Sequence, residues 1–222
     1  MTIRCFAICC LSLGALSFPI DAATICVPFD QPTIGDGLLT AVWGDTVLVA
    51  CGTYYEHGLQ IGSGVCLTSQ DGQPGAVIID GQDLGRVLAC TDADSTTHIA
   101  GITVQHGRTS GHGAGLFLER ASPTIENCEF IENVSDDDGG GLYAHWSSSP
   151  VLSNVVFRRN SARRNGGGLC FDNGYSITLS DVAVEGNFTT GTSGFGGGMC
   201  LEGGMRPRVT RASFLANSAE FG

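Results

Sequence analysis

The most constraining feature of this chain is a repeat. Phe130, Phe157, Val184 and Phe214 follow one another at intervals of 27, 27 and 30 residues. Asn133, Asn160, Asn187 and Asn217 keep those intervals three positions later, and Pro123, Pro150, Ile177 and Pro207 keep them seven positions earlier. Glycine runs ending at Gly115, Gly141, Gly168 and Gly198 return at 26, 27 and 30. Columns that stay in register over a period in the twenties describe a solenoid, one coil per repeat.

The residues inside a repeat say what kind of coil it is. Helical repeats need long stretches of 3.6-residue periodicity, and here Gly and Ser interrupt them. The apolar runs are short, alternating and rich in branched or aromatic residues, as in Ile125-x-x-Cys128-x-Phe130, Val155-Val156-Phe157 and Ile177-x-Leu179. That is strand pattern. Three short strands and three turns fit a coil of about 26–30 residues, and successive coils would pair as parallel strands about 4.8 Å apart. The expected fold is all-β, a right-handed parallel β-helix. The Phe column would stack inside the tube. The Asn column would sit at turns, where Asn tolerates left-handed backbone and its amide can bond to the coils above and below.

From Thr24 the chain opens with a strand, and residues 31–43 read as a short helix. Ile34, Leu38 and Val42 share one face of it, suited to covering the open end of the first coil. Residues 45–50, 65–69, 77–80 and 87–90 read as strands of less regular coils, with Gly52-Thr53-Tyr54 as a turn. Ile99, Gly101, Val104 and Gly107 match Ile125, Asn127, Phe130 and Asn133 at a constant offset of 26, so the regular array begins near residue 97. The sequence halts in mid-coil after Asn217, which raises the expectation that further coils, or an anchor, follow Gly222.

Residues 1–22 read as an export signal. Arg4 supplies the positive start, residues 6–18 an apolar stretch too short to span a bilayer, and Ala22-Ala23 a small-residue cleavage site. No later segment is apolar enough to be transmembrane. The formal charge is −11, with Lys+Arg at 11 and every one of those an Arg. That balance argues against nucleic acid and against an anionic membrane surface. Seven cysteines remain beyond the signal, an odd number for an oxidising compartment. Cys26–Cys51, Cys66–Cys90 and Cys170–Cys200 are the candidate disulfides, and Cys128, sharing the inward parity of Phe130, is a candidate buried thiol. The absence of any C-x-x-C pair argues against zinc.

The stretch from Ala23 to Glu56, with T-I-C-V-P, Q-P-T-I and G-D-T-V-L-V-A-C-G-T-Y-Y-E, resembles the N-terminal cap of bacterial secreted β-helix proteins of the pectin lyase-like superfamily. Cys51 stands where those proteins usually have Pro. The array resembles the G-G-G-[ILM] and F-x-x-N repeats of chlamydial-type polymorphic outer membrane proteins. Here these are Gly139-Gly140-Gly141-Leu142, Gly166-Gly167-Gly168-Leu169, Gly196-Gly197-Gly198-Met199, Phe130/Asn133, Phe157/Asn160 and Phe214/Asn217. Val184/Asn187 departs conservatively. The resemblance implies the fold and an exported or cell-surface location. For activity it implies a range, since the superfamily holds pectate lyases, polygalacturonases and adhesins.

Function on a solenoid must come from outward columns and loops. Glu119, His145, Asp172 and Glu202 each stand four residues after a glycine run and should share one outward column, one per coil. Carboxylates at such spacings are what acid/base glycosidic cleavage uses. A His flanked by acids would have a raised pKa and could act as general acid. Tyr143 and Trp146 offer a surface for stacking sugars. Outward strand positions carry charge in any event, so the column also reads as an ordinary solvated face. No Arg or Lys stands in it to serve as a lyase base.

Asp136, Asp137 and Asp138 could bind Ca²⁺ through their hard oxygens. The 27-residue offset also sets Asp136 against Arg163, Asp137 against Arg164 and Glu132 against Arg159, which explains the run as cross-coil pairs. Asn133 and Asn187 begin glycosylation sequons but belong to the internal ladder. His57, His98, His106 and His112 share no metal-ligand spacing. The reading that follows is an exported, non-catalytic β-helix serving as a structural, adhesive or glycan-binding module, with carbohydrate or another surface protein as partner. The rival is a polysaccharide lyase or glycoside hydrolase working at the Glu119–Glu202 column.

Overall fold

The structure is a computed structural model that describes residues 22–173 and 176–221. All of the expected export signal except Ala22 lies outside the described residues. Three parallel sheets wall one tube. The largest, of 12 strands, follows the path Thr24–Val27, Thr46–Val49, Cys66–Ser69, His98–Ala100, Thr124–Ile131, Val151–Arg158, Thr178–Glu185 and Arg208–Thr210. A six-stranded sheet stacks Leu59–Ile61, Leu88–Thr91, Leu116–Glu119, Leu142–His145, Leu169–Asp172 and Met199–Glu202. A four-stranded sheet of two-residue strands, from Arg108–Thr109 to Phe188–Thr189, makes the third wall.

The repeat columns become the core. Ile125 pairs with Ile99 and Phe130 with Val104, the expected offset. Phe130 and Phe157 stack with ring centroids 5.0 Å apart and planes 8° from parallel. Val184 continues that column fully buried, whereas Phe214 is 45% exposed in the last described coil. The Asn ladder is continuous. Asn133 Nδ2 donates to Asn160 Oδ1 at 2.9 Å, Asn160 Nδ2 to Asn187 Oδ1 at 3.0 Å, and Asn187 Nδ2 to Asn217 Oδ1 at 3.0 Å.

Left-handed backbone falls elsewhere than expected. It is taken by the residue before each ladder Asn, with φ of 53° at Glu132, 53° at Arg159, 61° at Gly186 and 52° at Ala216. The ladder Asn is bound by both its backbone N–H and its amide, so the corner's reversal moves one position back. A second left-handed column, Asn127, Asn154, Asp181 and Arg211, kinks the long strands in mid-course. A third, Arg120, Trp146 and Asn173, ends the strands of the six-stranded sheet and turns the chain out of the wall.

The expected helix is shorter than residues 31–43 and spans Ile34–Thr40. Thr33 caps it, and the Glu56 carboxylate accepts from Ile34 N at 2.9 Å and Gly35 N at 2.8 Å, satisfying N–H groups that the first turn leaves open. Ile34 and Leu38 are buried, but Val42 lies past the helix end and is 49% exposed. Gly52–Tyr54 is a strand rather than a turn, paired in parallel with Val77–Asp80. Glycine suggested a bend there, and the hydrogen-bonded neighbour overrode it.

Candidate functional site

The outer face of the six-stranded sheet gathers the chemistry. Strand register places Glu119 beside His145, His145 beside Asp172 and Asp172 beside Glu202. The preceding Leu118, Ala144 and Phe171 point inward and are buried. The four expected residues therefore do form one outward column.

Their side chains turn to other partners. Glu119 Oε1 accepts from Arg120 at 2.8 Å. Asp172 accepts from Asn173 Nδ2 at 2.7 Å and from the Tyr143 hydroxyl at 3.4 Å. Glu202 accepts from Asn165 Nδ2 at 2.9 Å. The pKa of His145 is lowered, not raised as expected. Burial disfavours its imidazolium, and Glu119 and Asp172 do not outweigh that in the company of His112 and Arg120. Its Nε2 is shielded from solvent and has no hydrogen-bond partner among the described residues.

Rings occupy the rest of this face. Arg86 lays its guanidinium over Phe117 at 4.3 Å. Phe117 and Tyr143, one coil apart, have centroids 6.1 Å apart, and His112 stacks on Tyr143 at 4.3 Å. His145 stacks on Trp146 at 4.7 Å, and Arg120 reaches over the indole at 5.7 Å. Tyr143 is buried beneath His112, whereas Trp146 is 55% exposed. Beside Trp146 lies an open cleft of about 660 Å³, bordered by Asn173, Met205 and Arg206. Tyr143 and Trp146, both expected here, thus divide their roles: one supports the face and the other presents it.

The acidic run separates. Asp136 approaches Arg108 of the preceding coil at 4.0 Å rather than Arg163. Asp137 meets Arg164 at 2.9 Å and Glu132 meets Arg159 at 2.7 Å, as expected. Asp137 and Asp138 converge with His112, their ligand atoms all within 4.8 Å of one another. Calcium favours six to eight oxygens. Two carboxylates, an imidazole and an adjacent guanidinium make a poor match, and Asp136 stands outside the group.

The seven described cysteines are free thiols. Cys128 is fully buried, as expected, and burial pushes its pKa up to about 12. Cys66 lies on the outside of its wall and Cys90 is buried inside, so the thiols of that expected pair face apart. Cys51 donates to Asp71 at 3.0 Å, in the coil beyond and away from Cys26. Cys170 and Cys200 are register partners on adjacent strands. Asn133 and Asn187 are fully buried, which leaves no room for a glycan on either. Among the described residues no helix is long and apolar enough to cross a membrane.

Sequence reasoning missed Arg86 and Phe117, and it set His112 aside for want of a metal-ligand spacing. All three were within reach, since 26 residues separate Arg86 from His112, His112 from Asp138, and Phe117 from Tyr143. The offset needed only to be applied to the loops and aromatic positions as well as to the core.

Residues 62–220 match the family model described as a right handed beta helix region. The chain belongs to that family. This right-handed β-helix is similar, among solved structures, to the pectin methylesterase from Aspergillus niger in deglycosylated form. That match has 15% identity and a TM-score of 0.36, over 91% of this chain and 88% of that one. A pectin methylesterase mutant in complex with hexasaccharide IV is 11% identical with a TM-score of 0.37, over 84% of this chain and 70% of that one. Likeness at this level carries no argument about the β-helix's outer face. No curated protein matches the sequence.

Proposed function

We propose that this β-helix is an exported module that binds carbohydrate on the outer face of its six-stranded sheet without cleaving it. The observation that carries the reading is Trp146. Its ring stands half out of the wall, backed by His145, with a cleft beside it edged by Asn173 and Arg206. An exposed ring with amide and guanidinium groups at its side suits a sugar's apolar face and hydroxyl rim. The non-catalytic part rests on the column: each carboxylate already holds a hydrogen-bond donor, and burial disfavours the charged form of the central His. Export rests on the leader sequence, and the resemblance to polymorphic outer membrane protein repeats agrees with a surface role.

The test is a panel of plant, algal and bacterial polysaccharides, read both for retardation of the protein in affinity gels and for chain shortening. Retardation by at least one polymer, weakened about tenfold or more in Trp146→Ala, is the expected result. Shortening that disappears in Asp172→Ala/Glu202→Ala would instead make the protein a hydrolase or lyase. Absence of retardation by every polymer, with β-type circular dichroism intact, would remove the carbohydrate reading.

A further inference from the structure

On the wall that ends at Trp146, one and two coils further along the column that holds Tyr143, the chain brings together a donor set that no local motif announces. Cys170 and Cys200 are 30 residues apart in sequence, yet they are register partners on parallel strands, Leu169–Asp172 and Met199–Glu202. Their side chains leave the wall on the same side. Glu202, two positions beyond Cys200, leaves on that side too. The Cys170 Sγ, the Cys200 Sγ and a Glu202 carboxylate oxygen all lie within 4.8 Å of one another.

We propose that Cys170, Cys200 and Glu202 form a binding site for a thiophilic divalent cation of the zinc class. Two sulfurs and one carboxylate are a donor set such ions accept, with about 2.3 Å to sulfur and 2.0–2.2 Å to oxygen in a tetrahedron. Ligands at those lengths stand about 3.5–3.8 Å apart, so the three atoms need to close by roughly an ångström or less from their present limit. Donors on strands fixed by neighbouring coils are already aimed.

The surroundings favour a metal over an inert pair of thiols. Cys170 is 1% exposed, so its thiol has lost water while remaining polar. Strand register holds the Cys200 sulfur beside it. Glu202 is held by Asn165 Nδ2 at 2.9 Å, a partner that fixes the carboxylate and leaves lone pairs free for an ion. Asp138 adds negative potential at both thiols. The Arg164 guanidinium, which interacts with Glu202 only at longer range, is engaged by Asp137 at 2.9 Å. Glu202 also borders an open cleft of about 380 Å³, through which an ion can enter and a water can complete the fourth position. The other described thiols lack such a set. Cys90 and Cys128 face the core, and Cys26, Cys51 and Cys66 fall in no such group among the described residues.

The experiment uses the mature chain, purified with a phosphine reductant and stripped of metal. Cobalt(II) is added as a spectroscopic probe and zinc(II) as competitor. The expected result is a thiolate-to-cobalt charge-transfer band that saturates at one ion per chain and is bleached by zinc. It should be absent in Cys200→Ser, weakened about tenfold or more in Glu202→Gln, and unchanged in Cys51→Ser. Alkylation of the wild-type chain followed by peptide mapping gives a readout that needs no variant: bound zinc should shield Cys200 while Cys51 stays reactive. Four results would each overturn the proposal. One is the lack of a band in reduced, folded protein. Another is a band that survives Cys200→Ser. The third is shielding of Cys51 in place of Cys200. The fourth is a Cys170–Cys200 disulfide that persists under the reductant and leaves no thiolate to bind.

Discussion

Asn160 shows how much one side chain does in this wall. Its Nδ2 donates to Phe130 O at 2.8 Å and to Asn187 Oδ1 at 3.0 Å, and its Oδ1 accepts from the N and Nδ2 of Asn133 at 3.0 and 2.9 Å. All of this is buried, so removing the amide strands donors and an acceptor where water cannot reach. Asn160→Ala should lose about 3 kcal/mol or more in urea unfolding. Asn160→Asp should also destabilise, because a carboxylate cannot donate to Phe130 O. Gly141 makes the complementary case. A Cβ there would lie 2.6 Å from Gly168 O and 2.8 Å from Phe157 Cδ1, with backbone on one side and a packed ring on the other. Gly141→Ala should cost about 1–3 kcal/mol through overpacking, measured the same way.

At the scale of the element, the corner at His106 predicts a pH dependence. Burial alone would lower the His106 pKa. Hydrogen bonds from Nδ1 to Asp80 at 3.0 Å and from Nε2 to Glu132 at 3.2 Å outweigh it and leave the pKa raised above the usual 6.5. Glu132 is shared with Arg159, and Gln105 donates to Asp80, so the facing groups are two acids, one Arg and one amide. A raised histidine pKa gives stability that is whole below 6.5 and is lost as pH rises through the folded value. Asp80 and Glu132, both lowered, give stability that is lost only as pH falls through their own folded values. His106→Gln should therefore be less stable than wild type between about pH 5 and 6.5, and the two should converge in thermal melts once pH has risen past the folded His106 pKa.

Elements were also where the sequence was most and least readable. The strand pattern of the regular coils and the Phe–Asn spacing were legible because every coil must present the same residue to the same neighbour, although the strands expected to be short run to eight residues. Gly52–Tyr54 was not, since a glycine-led tripeptide looks like a bend until a partner strand is known. The helix was found but overrun, because Val42 continued its apolar face beyond the point where Ala41 had already turned to extended backbone. The Glu119–Glu202 column was found by parity alone. Its meaning was not, because alternation fixes which way a side chain leaves the wall and says nothing of what it then meets. His145 was expected between two acids, and the rings packed on it stand outside the counted column: Phe117 and Tyr143 on the strands themselves and Trp146 at the corner that follows.

For the whole molecule, charge is the leading long-range term. Asp and Glu number 22 against 11 basic residues, giving −11 on a chain of 222. The Arg residues engage acids mostly across coils at exposed positions, where each pair adds little. The unpaired acids repel along the wall, and salt screens that repulsion beyond about 10 Å at 0.1 M. Raising the salt from 10 to about 150 mM should therefore increase the melting temperature by a few degrees. A fall instead would mean that the cross-coil pairs matter more than the surplus.

The Asn ladder has a direction. Each amide gives its hydrogen to the coil that follows and takes one from the coil before, beginning at Gly107 N, which donates to Asn133 Oδ1 at 2.8 Å. No member of the chain of amides knows its rank in it. Excising residues 134–160 would set Asn133 against Asn187 with every donor again facing an equivalent acceptor, and would carry off Tyr143, His145 and Trp146 while leaving Cys170, Cys200 and Glu202. A whole coil is thus an interchangeable part: recombination can change what this wall recognises by exchanging lengths of chain, without renegotiating the core that holds the rest upright.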